Sequence, residues 1–341
     1  MKVVYPEAQA LHNPDFYFIR GNRVEARERP ERAEILLDAV RAAGHEVVAP
    51  DDYGAASRAA VHSPAYLDFL ETAYARWRDM PGAAPQIMPS IHPVRHMSAL
   101  PDHIIGQVGW FIADTSCPIG AGTWTAACAS ADAAVHAARL VAGGARAAYA
   151  LCRPPGHHCY TDLAGGFCYL NNAAIAAADL RRTLDKVAII DIDVHHGNGT
   201  EGIFYDRGDV FFASVHADPN AFYPFFAGYA AETGAGAGTG FTLNKPLPLG
   251  SGDDAFLAAI GDIMGAFREF APDAIVVSLG LDASIDDPFA GLAVTTAGFG
   301  RAGTAIAAFG GPLVLIQEGG YLSPSLGANL VAFLAGVEAA A

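Results

Sequence analysis

Two adjacent histidines, His157 and His158, are the first residues in the sequence whose types and spacing could do chemistry. They follow the turn-forming run Arg-Pro-Pro-Gly, and paired glycines and aromatic residues come close behind. Because the pKa of an unperturbed histidine lies near neutrality, two imidazoles side by side can accept and donate protons in one reaction. A lone histidine is more often a structural residue, so the pair has to be weighed with the rest of the chain.

A possible metal site lies further along, where DIDVHHGNGT spaces Asp191, Asp193 and His195 two residues apart. Side chains at positions i and i+2 of an extended segment point to the same face. Asp282, in the later stretch SLGLDASIDDP, could meet them from another strand. Two carboxylates and one imidazole can hold a divalent metal with its fourth position open to water. Such a metal lowers the pKa of that water and polarises a carbonyl group.

The elements that must position these residues are short apolar runs that alternate with helical patterns. We predict a loop from the end of the first strand to residue 22, strands over residues 2–5, 148–152, 187–192, 210–215, 274–279 and 313–317, and helices over residues 30–43, 64–79 and 123–142. Alternation of this kind predicts a parallel sheet flanked by helices, and such sheets bind ligands outside the carboxyl ends of their strands. Four of the predicted strands are followed by the chemistry-bearing residues: the histidine pair, the DIDVH stretch, Asp282, and Tyr321 of QEGGY. We therefore expect these residues to meet at one edge of the sheet.

One long segment, residues 80–103, shows no clear period. It is rich in proline and contains His92, His96 and His103. Loops of this length are uncommon in compact domains and are usually functional or form an interface. No domain boundary stands out elsewhere, so we expect residues 1–341 to form a single domain.

The composition excludes several classes of protein. The chain has 21 Lys+Arg against 36 Asp+Glu, a net charge of −15, and no basic cluster, so we expect no nucleic-acid partner. Its five cysteines form no CxxC pair, which indicates a reducing compartment. Because there is no basic-then-apolar leader and no run of ~18 apolar residues, we expect a soluble, cytoplasmic protein without a membrane partner. The acidic balance favours cationic ligands.

The stretches RPPGHH…GGFCYLNNAA, DIDVHHGNGT, SLGLDASIDDP and QEGGY together resemble the histone deacetylase superfamily, and most of all its acetylpolyamine amidohydrolase members. The resemblance runs through nearly the whole chain, and the motifs occur in the family's order. It implies an arginase/deacetylase-like α/β fold of three layers, with a central, mostly parallel sheet of about eight strands. It also implies a zinc-dependent deacetylase that removes acetyl groups from acetylated polyamines or similar small acetylated amines.

The resemblance also assigns roles to individual residues. The metal ligands match Asp193, His195 and Asp282, the catalytic histidines match His157 and His158, and the residue that stabilises the transition state matches Tyr321. Asp191 matches the carboxylate behind the first histidine, and Asn198 falls where some members have an aspartate behind the second. We expect His158 to be the general base and a proton donor to the amine, and His157 to act mainly through its charge.

Two further sets of residues and an assembly follow from the resemblance. A structural potassium ion is implied at Asp191, Asp193, His195, Ser214 and Val215. The walls of a narrow substrate tunnel are implied at Gly166, Phe167 and Tyr223, with Asp114 as the nearest acid. The segment at residues 80–103 matches a dimerising insertion that narrows the entrance, so we expect a homodimer.

Alternatives remain open within this resemblance. Where polyamine-type members tend to have glutamates, this chain has Ile105 and Ser116, so acetyl-lysine in proteins or peptides, or another acylated metabolite, is a competing substrate. Fe²⁺, Co²⁺ or Mn²⁺ could take the place of zinc in an oxygen-rich ligand set. An arginase-type enzyme is disfavoured, because the carboxylates for its second metal would fall at Gly197 and Ser284. A relative that only binds acetyl groups is disfavoured because the residues that the chemistry needs are all in place.

Overall fold

A sheet of eight strands forms the centre of the molecule, and helices cover both of its faces. The computed structural model describes residues 1–94 and 99–340. The strands are β1 (Lys2–Val4), β2 (Phe16–Ile19), β3 (Asn22–Glu25), β4 (Glu46–Val48), β5 (Ala147–Ala150), β6 (Val187–Asp191), β7 (Val210–Ala217), β8 (Thr242–Leu247), β9 (Ala274–Leu279) and β10 (Leu313–Gln317). The α-helices are α1 (Pro30–Ala42), α2 (Gly54–Ala59), α3 (Pro64–Arg78), α4 (Ile104–Phe111), α5 (Thr123–Ala142), α6 (Asn172–Leu180), α7 (Asn198–Phe204), α8 (Asp253–Phe270), α9 (Thr296–Ala307) and α10 (Leu326–Ala339).

The strands of the main sheet lie in the order β4-β1-β5-β10-β9-β6-β7-β8, and every neighbouring pair is parallel. The central strands β6, β9 and β10 read VAIID, AIVVSL and LVLIQ, and all of their residues are buried. Continuous apolar runs of this kind suit strands that are covered on both faces. The predicted parallel sheet of about eight strands is confirmed.

Two hydrophobic cores, one on each face of the sheet, give the molecule three layers. Helices α3, α4, α5 and α6 pack on one face, where Phe69 is fully buried. Helices α1, α8, α9 and α10 cover the other face, where Phe267 is fully buried. Neighbouring strand positions serve opposite cores, because side chains alternate along a strand: Ile189 belongs to the first core and Ile190 to the second.

The predicted elements are confirmed, and their ends differ from the prediction by no more than two residues. β4 and β8 were not predicted. β4 has only three residues, and β8 contains Lys245 and Pro246, which are typical of an edge strand. The loop predicted before residue 22 is wrong, because β2 and β3 form an antiparallel hairpin there. Positive φ angles at Arg20 and Gly21, of 51° and 76°, form its tight turn.

The long segment that follows α3 has no regular structure where it is described. Residues 80–94 and 99–103 form no helix, and one isolated bridge joins Ile87 to Ile119. His96 lies outside the described residues. No helix in the described part of the chain is long and apolar enough to cross a membrane.

Candidate active site

Four neighbouring strands end beside one cavity of about 600 Å³. β5, β10, β9 and β6 are adjacent in the sheet, so the loops after them meet at its carboxyl edge. The cavity is lined by residues from all four of these loops, among them His157, His195, Phe289 and Tyr321. The sequence-based expectation that the strand ends share one site agrees with this arrangement.

A cluster of metal-binding type lies at the base of this edge. One donor atom from each of Asp193, His195 and Asp282 lies within 4.8 Å of the others. His195 Nδ1 is 3.1 Å from Asp193 Oδ1 and 3.3 Å from Asp282 Oδ2. The Oδ2 atom of Asp282 is buried and, apart from this ionic contact with His195, has no hydrogen-bond partner among residues 1–94 and 99–340. Burial, followed by the charge of Asp193, raises the pKa of Asp282. These donors fit a divalent cation, which would give the orphaned oxygen a partner and offset the repulsion.

A glycine leaves the space that such a cation needs. A Cβ on Gly319 would lie 2.6 Å from Asp193 Oδ2 and closer still to Asp282 Oδ2. The backbone nitrogen of Gly319 donates to Asp193 Oδ2 at 2.8 Å. Any larger residue at this position would therefore displace the carboxylates.

Turn hydrogen bonds, rather than a continued strand, position the first part of this cluster. β6 ends at Asp191, and the backbone then bends. The carboxylate of Asp191 accepts from the backbone nitrogen of Asp193 at 3.0 Å, and that of Asp193 accepts from His195 N at 2.9 Å. Aspartates commonly fold the backbone in this way. The strand alternation predicted for these residues therefore ends at Asp191.

The adjacent imidazoles are in contact, with ring centroids 4.0 Å apart. His157 Nδ1 lies 2.8 Å from Asp191 Oδ2, and His158 Nδ1 lies 2.6 Å from Asn198 Oδ1. Asn198 Nδ2 donates to the Tyr160 hydroxyl at 3.2 Å, so its oxygen is the atom that faces His158. Because that oxygen accepts from Nδ1, a neutral His158 keeps Nε2 free to accept a proton.

The two imidazoles have opposite pKa shifts. Burial disfavours the charged form of His157, but the carboxylates of Asp191 and Asp193 outweigh it and raise the pKa to about 10. Burial also lowers the pKa of His158 well below its usual value, and the neighbouring His157 and His195 lower it further. At neutral pH the pair therefore consists of one imidazolium and one neutral imidazole.

Aromatic side chains form the walls of the cavity. The rings of Phe167 and Tyr321 have centroids 5.9 Å apart, and Tyr223 stands edge-on to His158 at 4.9 Å. Tyr321 is buried, and burial raises the pKa of its phenol well above its ordinary value, so the hydroxyl stays protonated as a donor. Gly166 has a φ of 53°, and a Cβ there would lie 2.7 Å from Cγ of His158. Glycine is therefore required where this wall meets the imidazole.

Asp114 anchors this wall. Its Oδ2 atom accepts from the Tyr223 hydroxyl at 2.7 Å and from Gly166 N at 3.3 Å. Its Oδ1 atom accepts from the backbone nitrogen of Ser116 at 2.8 Å and from the hydroxyl of the same residue. Ser116 lines the cavity, whereas Ile105 does not. The carboxylate is already well supplied with donors from the protein.

The residues implied for potassium lie behind the cavity. Asp191 and Ser214 are register partners on β6 and β7, and both are fully buried. Val215 follows Ser214 on β7. Ser214 Oγ is 2.8 Å from His216 Nδ1.

The sequence reasoning missed the residues that hold the two catalytic-type loops in place. Oε2 of Glu318, in the QEGGY stretch, accepts from Gly156 N at 2.7 Å and from His157 N at 3.1 Å. Arg32 on α1 donates to the carbonyl of Gly320, and to that of Glu318 at 2.7 Å. Glu318 could have been found because it precedes the glycines of a recognised stretch. Nothing near Arg32 in the sequence marks its role.

The positions that would carry a second metal in an arginase-type enzyme are occupied differently. Gly197 has no side chain to offer, and Ser284 Oγ accepts from Asn329 Nδ2 at 3.0 Å. His196, Glu201 and Glu232 form a separate group of possible metal ligands. There, Asn244 Nδ2 donates to both carboxylates, at 2.7 Å to Glu201 and 3.0 Å to Glu232. Gly197 and Ser284 therefore supply no carboxylate for a second metal of the arginase type.

A parallel α/β sheet with paired histidines and a tyrosine beside an Asp/His/Asp cluster defines a class of hydrolase site, and the cluster fits a metal ion. The model of the histone deacetylase domain matches residues 26–337, and the chain belongs to this family. It is 50% identical over 332 residues to an acetylpolyamine amidohydrolase of Burkholderia pseudomallei (strain 1710b), covering 97% of each chain. It is 44% identical over 343 residues to the acetylpolyamine amidohydrolase of Mycoplana ramosa, covering 99% of each chain. A crystal structure of acetylpolyamine aminohydrolase from Burkholderia pseudomallei superposes with a TM-score of 0.96 at 49% identity, covering 100% of this chain and 99% of the other.

Proposed function

We propose that the protein is a metal-dependent deacetylase that hydrolyses acetylated polyamines and similar small acetylated amines to acetate and the free amine. One observation carries the proposal: a carboxylate cluster with an orphaned oxygen lies beside one cationic and one neutral imidazole at one cavity. The names of the relatives, acetylpolyamine amidohydrolases, support the substrate class. A cavity of about 600 Å³ also suits a small ligand.

Zn²⁺ is the metal that we assign to Asp193, His195 and Asp282, with Fe²⁺, Co²⁺ or Mn²⁺ as alternatives. When bound, the ion supplies Lewis-acid polarisation to the acetyl carbonyl and to the attacking water. Elemental analysis of gently purified protein tests the assignment. About one zinc per chain is expected, and substoichiometric zinc with abundant iron would overturn it.

The proton transfers fall to His158. Its free Nε2 takes a proton from the attacking water, and the resulting imidazolium gives a proton to the amine nitrogen as the C–N bond breaks. His157, held cationic by Asp191, stabilises the negative charge that develops on the former carbonyl oxygen, and the phenol of Tyr321 donates a hydrogen bond to the same oxygen. Tyr321→Phe removes that donor, so kcat is expected to fall about 10²–10³-fold. A near-normal kcat would remove Tyr321 from the mechanism.

The substrate class is tested by comparing kcat/KM for N-acetylputrescine, N-acetylcadaverine, an N-acetylspermidine and an acetyl-lysine peptide with zinc-loaded enzyme. The narrow aromatic walls are expected to favour the small acetylated amines by more than about 10-fold. If the peptide is the better substrate, the protein is instead a deacetylase of acetyl-lysine in proteins. Turnover of some other acylated metabolite with none of the four compounds cleaved would also replace the polyamine assignment.

A structural potassium ion is part of the same proposal, at Asp191, Asp193, His195, Ser214 and Val215. The buried pair of Asp191 and Ser214 across β6 and β7 supports it. A ligand that binds only the folded state raises its stability. The melting temperature is therefore expected to be higher in KCl than in NaCl at equal ionic strength, and Ser214→Ala is expected to reduce the difference.

A homodimer is proposed through the segment at residues 80–103. The described part of this segment exposes large apolar side chains: Ile91 is 60% exposed, Val94 69% and Leu100 41%. Contiguous exposed apolar side chains commonly mark an interface, so this segment is a candidate for one. Light scattering of the wild type should give the mass of two chains, and the variant Ile91→Asp/Val94→Asp should give the mass of one.

A single domain spanning residues 1–341 in a reducing, cytoplasmic compartment completes the proposal. The two ends of the chain share one core, because α1 packs with α10 and β1 pairs with β5. All five cysteines are free thiols, which supports a reducing environment. One cooperative unfolding transition by two independent probes is expected for such a domain.

A further inference from the structure

Two hydrogen-bond donors at the cavity have no acceptor from the protein. Arg27 Nη1 and the Tyr17 hydroxyl are both buried and both lack a partner among residues 1–94 and 99–340. Both residues line the cavity that holds the histidine pair. A buried donor without an acceptor is costly, and a charged one more so. These two atoms are therefore placed to meet an acceptor that enters the cavity from outside.

The two donors belong to one wall. Both come from the hairpin region, Tyr17 from β2 and Arg27 from the residues just after β3. The Tyr17 ring stands edge-on to Phe167 with centroids 5.2 Å apart. The Arg27 guanidinium lies 5.1 Å from the ring centre of Phe289, whose ring is 4.7 Å from that of Tyr321. Burial raises the pKa of Tyr17 although Arg27 lowers it, so the phenol remains a neutral donor.

Two other side chains that carry a fixed charge, Asp114 and Arg20, line the cavity. Asp114 is the carboxylate among the described residues that line the cavity, and its two oxygens already accept from Tyr223, Gly166 and Ser116. Arg20 is exposed to solvent, so the buried Nη1 of Arg27 is the guanidinium nitrogen placed to meet an acceptor inside the cavity. A carboxylate at the far end of a substrate would be attracted by the Arg27 guanidinium.

We propose that Arg27 and Tyr17 form a subsite whose two donors bind a carboxylate at the end of the substrate remote from the acetyl group. The small acetylated amines that this chain hydrolyses then include acetylated basic amino acids, such as free Nε-acetyl-lysine. This inference rests on the proposed deacetylase function and adds a specificity determinant to it. A guanidinium and a phenol donating to one carboxylate form charge-assisted hydrogen bonds.

A pair of matched substrates isolates the subsite. Nε-acetyl-L-lysine and N-acetylcadaverine differ only by the α-carboxylate, so the ratio of their kcat/KM values measures what that group contributes. For zinc-loaded Arg27→Gln, kcat/KM for acetyl-lysine is expected to fall about 10–100-fold, because a buried charge-assisted pair is lost. The value for acetylcadaverine is expected to stay the same or rise, because a like charge is removed. Arg27→Lys should restore part of the ratio.

Two further variants serve as controls. Arg20→Gln removes an exposed guanidinium from the same cavity wall and should leave the ratio within about 3-fold of wild type, because an exposed charge is screened by solvent. Tyr17→Phe removes only the hydroxyl and should lower the ratio about 5–10-fold. If Arg27→Gln does not fold, as judged by its melting curve, Tyr17→Phe alone decides the question.

The failures of the two proposals are distinguishable. If both substrates are cleaved by the wild type and the ratio is unchanged in Arg27→Gln and Tyr17→Phe, the subsite is wrong and the deacetylase stands. An equal shift in Arg20→Gln and Arg27→Gln would also overturn the subsite, because net charge would then explain it. If zinc-loaded wild type cleaves no acetylated amine, the proposed function itself fails.

Discussion

His157 and His158 carry the same side chain one peptide bond apart, yet their neighbours give them different charges. A carboxylate, Asp191, faces the first imidazole, and a neutral amide, Asn198, faces the second. The first pKa is raised to about 10 and the second is lowered. Burial lowers both pKa values, and only the carboxylates near the first ring reverse that effect. In the proposed mechanism, this difference between neighbours separates electrostatic stabilisation from proton transfer.

Replacing each histidine by alanine should separate these roles. His158→Ala should reduce kcat/KM by about 10²–10⁴-fold, because it removes the general base and acid. His157→Ala should cost less, and it should also move the acidic limb of the pH profile. Activity falls as His158 becomes protonated, and loss of the neighbouring cation raises the pKa of His158, so the limb should shift to higher pH. Equal losses with unchanged pH profiles would rule out the division.

At the scale of elements, helix α1 holds the loop after β10 through a buried ionic cluster. Arg32 donates to the carbonyls of Glu318 and Gly320, and its Nη1 lies 2.6 Å from Glu28 Oε1. Arg153, in the stretch before the histidine pair, lies 2.8 Å from the same oxygen. The two catalytic-type loops thus share one carboxylate that is out of contact with water.

Loss of Arg32 should therefore destabilise the whole fold. Arg32→Met leaves a buried carboxylate short of a partner, which typically costs about 3–5 kcal/mol in the free energy of unfolding. Arg29→Met is the matched control, since Arg29 pairs with Glu25 and Glu31 at the surface and should change stability little. Urea unfolding of both variants measures the difference. Similar values for the two would show that the buried cluster contributes no more than a surface pair.

The loop before α3 contains a buried histidine, His62, that is neutral in the folded protein. His62 Nε2 accepts from Asn171 N at 2.9 Å, and its Nδ1 lies 3.3 Å from the carbonyl of Thr161. Burial lowers the pKa of His62 from 6.5 to about 4. Its contribution to stability is complete above pH 6.5 and is lost as the pH falls towards 4, because only the unfolded state then takes up the proton.

The variant His62→Gln tests the predicted loss of stability at low pH. A glutamine side chain is neutral at every pH, so this variant should lose less stability than wild type between pH 7.5 and 5. The full linkage amounts to about 3 kcal/mol, from ~1.36 kcal/mol for each unit of pKa difference. The free energy of unfolding by urea, measured at several pH values, gives the two slopes. Parallel slopes would mean that His62 does not contribute to acid sensitivity.

At the scale of the whole molecule, the metal proposed at Asp193 and Asp282 should make stability depend on the bound cation. Removing the metal with a chelator should lower the free energy of unfolding, by about 2.7 kcal/mol relative to protein at a free metal concentration of 100 times Kd. Asp282→Asn should abolish this dependence. It should not destabilise the metal-free protein, because it removes a buried charge that Asp193 repels. The melting temperature of both proteins, with zinc and with chelator, tests both statements.

The sheet and the cavity could be predicted because each chemistry-bearing stretch directly follows its own strand, so that local pattern and position at the sheet edge coincide. β4 and β8 could not be predicted, since a three-residue strand and an edge strand with a proline lack a clear period. Arg32 contacts residues almost 290 positions away, and Arg27 faces the cavity from a region that the sequence does not mark. Contacts of that kind depend on the complete fold and leave no periodicity in the chain.

The hairpin of β2 and β3 pairs with no strand of the main sheet, yet it contributes to the cavity wall. The residues assigned to bond cleavage lie instead in the loops that follow the central strands β5, β6, β9 and β10. The length or the charges of this hairpin can therefore change without a change in the geometry of the reactive centre. Substrate specificity can then change without a change in the catalytic residues, because the two depend on different parts of the chain.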